Sequence, residues 1–156
     1  MWFEDVAVGI KKDLGTHTFT EEEIIAFAKK YDPQPFHIDP QAAAQTMFGG
    51  IIASGWHTAA VWMKRALESA LGEPAGPGIV SPGFEAMRWF KPVRPSTTLR
   101  FSAEVVEKVD LRSRPDFGLV KSRNEARDET GALVFSFIGK TFVPKNPRRL
   151  QNDAVR

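Results

Sequence analysis

Apolar and polar positions along the chain change period near its midpoint. From Ile24 the apolar residues Ile24, Phe27, Ala28 and Tyr31 recur at i, i+3, i+4 and i+7, the spacing of one face of an α-helix turned to a core. Thr20-Glu21-Glu22-Glu23 ahead of them has a capping residue at the N-cap and Glu at N3, so a capping box opens this helix. Pro33 ends it at Asp32. Asp39-Pro40 is a favoured N-cap and N1 pair, predicting a short second helix through the alanines to about Met47, broken by Phe48-Gly49-Gly50. Ser54-Gly55 then begins the longest helix, to about Leu71, with Gly72 as its stop. Its apolar set is Trp56, Ala59, Ala60, Met63, Leu67, Ala70 and Leu71. Val61 and Trp62 add apolar surface on other faces, so the helix reads as buried and wrapped.

Beyond the Gly- and Pro-rich stretch 72–83 the period falls to two. Residues 84–91, 98–109, 118–128 and 132–143 read as strands, and Glu129-Thr130-Gly131 as the hairpin turn joining the last two. A short β segment, helices, then an antiparallel meander indicate an α+β fold: one domain over residues 1–143, its sheet curled around the long helix, and a basic tail over 144–156. An uncovered sheet edge in such a fold calls for a partner.

Composition narrows the chemistry. At 156 residues the chain buries roughly 68–70% of its unfolded surface as one domain. There is no cysteine, which removes disulfides, thiolate metal sites and a cysteine nucleophile. The histidines are His17, His37 and His57, with no paired spacing, so no metal site is expected. The acidic start Met1-Trp2-Phe3-Glu4-Asp5 lacks the basic region of a signal peptide, and no apolar run approaches the roughly 20 residues that span a bilayer. A cytoplasmic location follows as an expectation. The net charge is +2, with much of the basic excess in Lys145, Arg148, Arg149 and Arg156. That suits a solvated end better than a nucleic-acid arm.

The candidate chemistry lies in Tyr31-Asp32-Pro33-Gln34-Pro35-Phe36-His37. It places a carboxylate and an imidazole five residues apart, a separation of up to about 17 Å if extended. Pro33 and Pro35 fix φ, and each biases the residue before it towards extended or turn geometry. A kinked loop of this kind can aim both side chains at one water or proton, which acid–base chemistry requires. On spacing alone, ordinary helix-exit turn chemistry is the better account of Asp before Pro, and it is the context on both sides that favours the pair.

The run Asp32-Pro33-Gln34-Pro35-Phe36-His37, followed by Ala42 and Ala43, resembles the hydratase motif of the MaoC-like hydratases, which include the (R)-specific enoyl-CoA hydratases of the hot-dog fold. Phe48-Gly49-Gly50-Ile51-Ile52-Ala53-Ser54-Gly55 is similar to that family's approach to its central helix, and Arg88-Trp89-Phe90-Lys91-Pro92-Val93 to a later strand. The resemblance covers roughly residues 5–143. It implies a hydratase or dehydratase acting on an enoyl-CoA thioester, in which Asp32 and His37 activate water and the Gly55 N–H receives the thioester oxygen. It implies no cofactor beyond the coenzyme A of the substrate, and a homodimer joined edge to edge. Three positions depart from the pattern: Gln34 where Asn is usual, Ala60 where Ser is frequent, and Ser96-Thr97-Thr98 in place of a glycine-aspartate-threonine turn.

Ser54, Trp56 and His57 surround the proposed oxyanion donor and are candidate substrate contacts, each with a structural alternative. Ser54 could cap the helix, Trp56 could face the core or a second subunit, and His57 could bond a backbone group. Arg88, Lys91 and Arg94 could meet the phosphates of CoA, or be solvated strand ends. Two other functions fit less well. A hot-dog thioesterase commonly carries an acid on the central helix, and here none precedes Glu68. A non-catalytic acyl-CoA-binding protein would have no use for an intact Asp32/His37 pair.

Overall fold

The structure is a computed structural model that describes residues 2–70 and 80–148. Strand β1 (Lys11–Thr18) is followed by helix α1 (Glu21–Tyr31), one-turn helix α2 (Pro35–Ile38), α3 (Pro40–Ala44) and the long α4 (Gly55–Ala70). Strands β2 (Val80–Trp89), β3 (Thr98–Asp110), β4 (Phe117–Arg127) and β5 (Leu133–Pro144) complete the chain. The five strands form one antiparallel sheet in the order β1-β3-β4-β5-β2, so β1 and β2 are its edges.

The α+β expectation holds, with differences of detail. Strand β2 begins at Val80, inside the stretch expected to be loop, while Gly72 and its proposed stop lie outside the described residues. Two register breaks interrupt β2, and Ala86 takes φ 51° in the second; bulges of this kind are common on edge strands. Helix α3 stops at Ala44 instead of Met47, because the Thr46 hydroxyl donates to the Ala43 carbonyl (2.7 Å) and turns the chain. The capping box of α1 is half present. Thr20 accepts from the Glu23 N–H (3.2 Å), but the Glu23 carboxylate is engaged by His17 Nε2 at 2.5 Å.

Two apolar faces also differ from expectation. Ile24 and Ala28 are fully buried, but Tyr31 is 62% exposed at the end of α1. In α4 the face on the sheet carries Thr58 and Val61, with Trp62 and Ala66 partly buried. Trp56, Met63 and Leu67 instead point to solvent from the opposite side. The helix is apolar on two faces, and a single sheet covers only one of them.

The core between α1, α4 and the sheet is built from Phe19, Ile24, Leu99, Phe101, Phe135 and Phe137. Arg65 ties the middle of α4 to edge β1, donating from Nε to the Leu14 carbonyl (3.2 Å). Gly15, at a bulge with φ 86°, leaves the room its guanidinium occupies. A smaller cluster of Phe3, Val6 and Val120 covers another part of the sheet. Just beyond β5, Lys145 pairs with Asp110 at 2.6 Å, and the Asn146 N–H donates to Glu4 (3.1 Å), while Pro147 and Arg148 are exposed.

Candidate active site

Helix α1 exits through Asp32, whose N–H still bonds the Ala28 carbonyl (2.9 Å) while its backbone leaves helical geometry. The expected kinked loop contains a helical turn that the sequence did not announce. Pro35 takes the N1 position of α2, for which its fixed φ suits it, and that turn swings His37 back towards Asp32. His37 Nε2 lies 3.3 Å from Asp32 Oδ2.

His37 is buried, at 4% exposure. Its Nδ1 lies 2.7 Å from the Ile52 carbonyl oxygen. A carbonyl only accepts, so Nδ1 carries the hydrogen and the Nε2 of the neutral ring presents a lone pair towards Asp32.

Asp32 is held from both sides. The Ser54 hydroxyl donates to Oδ2 (2.7 Å) and the Gln34 amide to Oδ1 (2.8 Å). The Ser54 bond foremost, then Gln34, keep this carboxyl below the ordinary aspartate range, outweighing partial burial. Gln34, a departure from the motif, thus braces the carboxylate directly.

The pair opens into a cleft of about 440 Å³. Phe48, Ile52, Trp56, Trp89, Phe90 and Val93 supply apolar walls, and Asp32, Gln34, His37, Gly55, Thr58 and Lys91 the polar points. Gly55 is the first residue of α4. The Ser54 oxygens occupy the next donors, Oγ accepting from Trp56 N–H (3.3 Å) and the carbonyl from His57 N–H (3.0 Å). The Gly55 N–H has no such partner among the described residues, as the first donor of a helix commonly does not. The missing Cβ matters for another reason as well: the Trp89 indole lies across Gly55, and a Cβ would sit 2.7 Å from its Cε2.

Asp32, His37, Gly55 and Trp56 therefore meet in one cleft. Ser54 and His57 do not line it. Ser54 is 1% exposed and spends its hydroxyl on Asp32. His57 points the other way, stacked on Phe27 (4.6 Å between centroids, 8° interplanar) and edge-on to Phe19. Burial lowers its pKa, with Glu23 opposing and His17 reinforcing that shift. Of the basic candidates, Lys91 lines the cleft and pairs with Asp128 at 2.5 Å, while Arg94 donates to the Phe48 carbonyl (2.6 Å). Gln34 and Trp89 were missed as members of the site. Gln34 signalled itself only as a departure from the motif, and the Trp89 contact spans 34 positions of sequence.

Residues 7–126 match the description of the MaoC like domain. The chain belongs to this family. Its fold is the hot-dog fold shared with (R)-hydratases of known structure. The crystal structure of the MaoC-like dehydratase from Rhodospirillum rubrum is 37% identical and superposes with a TM-score of 0.85, covering 94% of this chain and 99% of that one. The uncharacterized protein YdeM of Bacillus subtilis (strain 168) is 35% identical over 96 residues, spanning 60% of this chain and 65% of YdeM. The 3-hydroxybutyryl-CoA dehydratase of Methylorubrum extorquens is 30% identical over 116 residues, 73% of this chain and 69% of that protein. Among the described residues no helix is long and apolar enough to cross a membrane.

Proposed function

We propose that this chain is a hydratase/dehydratase that adds water reversibly across the 2,3 double bond of an enoyl-CoA thioester. The observation that carries the reading is the 3.3 Å approach of His37 Nε2 to Asp32 Oδ2, in a cleft that also holds the N-terminus of α4. Membership of the family and the 3-hydroxybutyryl-CoA dehydratase relative support it.

A water bridging the two groups from the cleft has one proton for each acceptor. His37 Nε2 takes one as the hydroxyl attacks C3, and the imidazolium so formed faces the Asp32 carboxylate. Attack pushes charge onto the thioester oxygen. The Gly55 N–H and the partial positive charge of the helix end receive it. His37 then returns the proton to C2. Water has been split into OH on C3, from the attacking water itself, and H on C2, from His37 Nε2, both on the face of the substrate turned to the pair. Every group in this scheme belongs to the protein, and coenzyme A enters as part of the substrate. Lys91, at the cleft wall, is placed to meet an anionic part of it.

A homodimer belongs to the same reading. The stripe of Trp56, Met63 and Leu67 on α4 and the edge-strand residues Phe84 and Trp89, with Phe90 beyond it, are all exposed in the single chain. Apolar residues in such number on one helix and one open edge are suited to pairing with a second copy. A thioesterase reading finds no acid on α4 before Glu68, which is bound to Arg65 at 2.7 Å.

The test is the enoyl-thioester absorbance of crotonyl-CoA, with wild type beside Asp32→Asn and His37→Ala. Loss of absorbance in wild type, reduced at least about 100-fold in both variants, is expected for a general acid–base pair. An Asp32→Asn variant as active as wild type overturns the assignment. Release of free thiol without loss of the double bond would mark a thioesterase instead.

A further inference from the structure

One residue touches both halves of the site without facing the cleft. Ser54 donates its hydroxyl proton to Asp32 Oδ2 (2.7 Å), and the same oxygen accepts the Trp56 N–H (3.3 Å). Its carbonyl accepts from His57 and Thr58 (3.0 and 3.3 Å), so it also caps α4. A hydroxyl has one proton and two lone pairs. With that proton committed to a carboxylate, only acceptor capacity is left for the helix, and the two demands are met together.

We propose that Ser54 is a positioning residue that joins the Asp32 carboxylate to the first turn of α4, holding the water-binding pair in register with the Gly55 N–H. The role rests on the hydratase reading, but the contact itself does not. The links run in series from the helix N–H to the hydroxyl to the carboxylate. Each polarises the next, which favours the charged form of Asp32 in its partly buried place at the cleft wall. Gln34 fills Oδ1, so the free acceptor capacity of Oδ2 points to His37. Asp32 is thereby kept as an acceptor, and proton transfer falls to the imidazole. Without Ser54 the carboxylate would be held by Gln34 alone, and α4 would lose its cap at the same time.

Two measurements on Ser54→Ala test this. The first is the titration of the Asp32 side chain by carbon-13 NMR, assigned by its loss in Asp32→Asn, and it needs no substrate. The midpoint is expected to rise in Ser54→Ala and to stay near wild type in Ser54→Thr, which retains the hydroxyl. The second is turnover of crotonyl-CoA, where kcat should fall about 10- to 100-fold, the scale of a lost hydrogen bond to a charged group, with KM changed little and most of kcat restored by threonine. Should Ser54→Ala fail to fold, Ser54→Cys fills the site with a weak donor and undergoes the same titration. An unmoved Asp32 midpoint overturns the proposal, whatever the activity. A moved midpoint in a protein that leaves crotonyl-CoA untouched upholds the joint and counts against the hydratase reading.

Discussion

Trp89 and Gly55 are fastened to each other: the indole N–H of Trp89 donates to the Gly55 carbonyl at 2.9 Å, and the ring fills the space a Cβ would take. Gly55→Ala should therefore clash with the ring, although alanine is the better helix former. A loss of about 1–3 kcal/mol, typical of overpacking, is expected in thermal or denaturant unfolding. Trp89→Phe shortens the ring system and should restore part of it. Additive effects of the two substitutions would count against the contact, because neighbours in contact couple.

His57 should make stability depend on pH. Its ring is buried between Phe19 and Phe27, its Nδ1 has no hydrogen-bond partner, and its Nε2 is 3.6 Å from a Glu23 oxygen already bonded to His17. Burial lowers its pKa in the folded state, so the folded protein favours the neutral ring. Stability is then fully present above the unfolded histidine value of about 6.5, and is lost as pH falls through the lower folded value. Denaturant midpoints measured from pH 7.5 downwards should fall more steeply for wild type than for His57→Phe. Parallel curves would refute the assignment.

Ser96 sits at φ 68° in the turn before β3, with its N–H donated to the Phe19 carbonyl (2.7 Å). A left-handed backbone costs a non-glycine residue about 1–2 kcal/mol, and glycine returns part of that gain as unfolded-chain entropy. Ser96→Gly should stabilise by about 0.5–1 kcal/mol, raising Tm by a few degrees for a chain of this size. A lower Tm would mean that the serine side chain compensates elsewhere.

Self-association is tested by charge on the bare stripe. Leu67→Glu and Phe84→Glu alter residues exposed in the single chain, so folding should survive while assembly weakens. Light scattering should give a dimer for wild type and a shift towards monomer for the double variant. A wild-type monomer would remove the dimer from the proposal.

Much of the scaffold was legible because it depends on local rules. Thr20 and Asp39 marked their helix starts, Pro33 a helix end and Gly131 a hairpin, and each works within a few residues. The Asp32–His37 pair was legible as a motif, but its closure was not. It depends on Pro35 nucleating a turn that reads as loop, and on the Ile52 carbonyl fifteen residues away fixing the ring. The faces of α4 were misjudged because periodicity reports that a helix is apolar without saying which neighbour covers which side. His57 looked like a site residue from its place beside Gly55, yet a helix turns about 100° per residue and carried it to the opposite side.

Helix α4 is anchored to both borders of the sheet. Arg65 binds it to β1 through the Leu14 carbonyl, and Trp89 binds its first residue to β2. The position of the Gly55 N–H is thus surveyed from both margins, like a span hung between two piers. Anything that settles on the β2 border leans on the pier nearest the cleft. Occupancy of the cleft and occupancy of that border should accordingly influence each other by equal and reciprocal amounts of free energy.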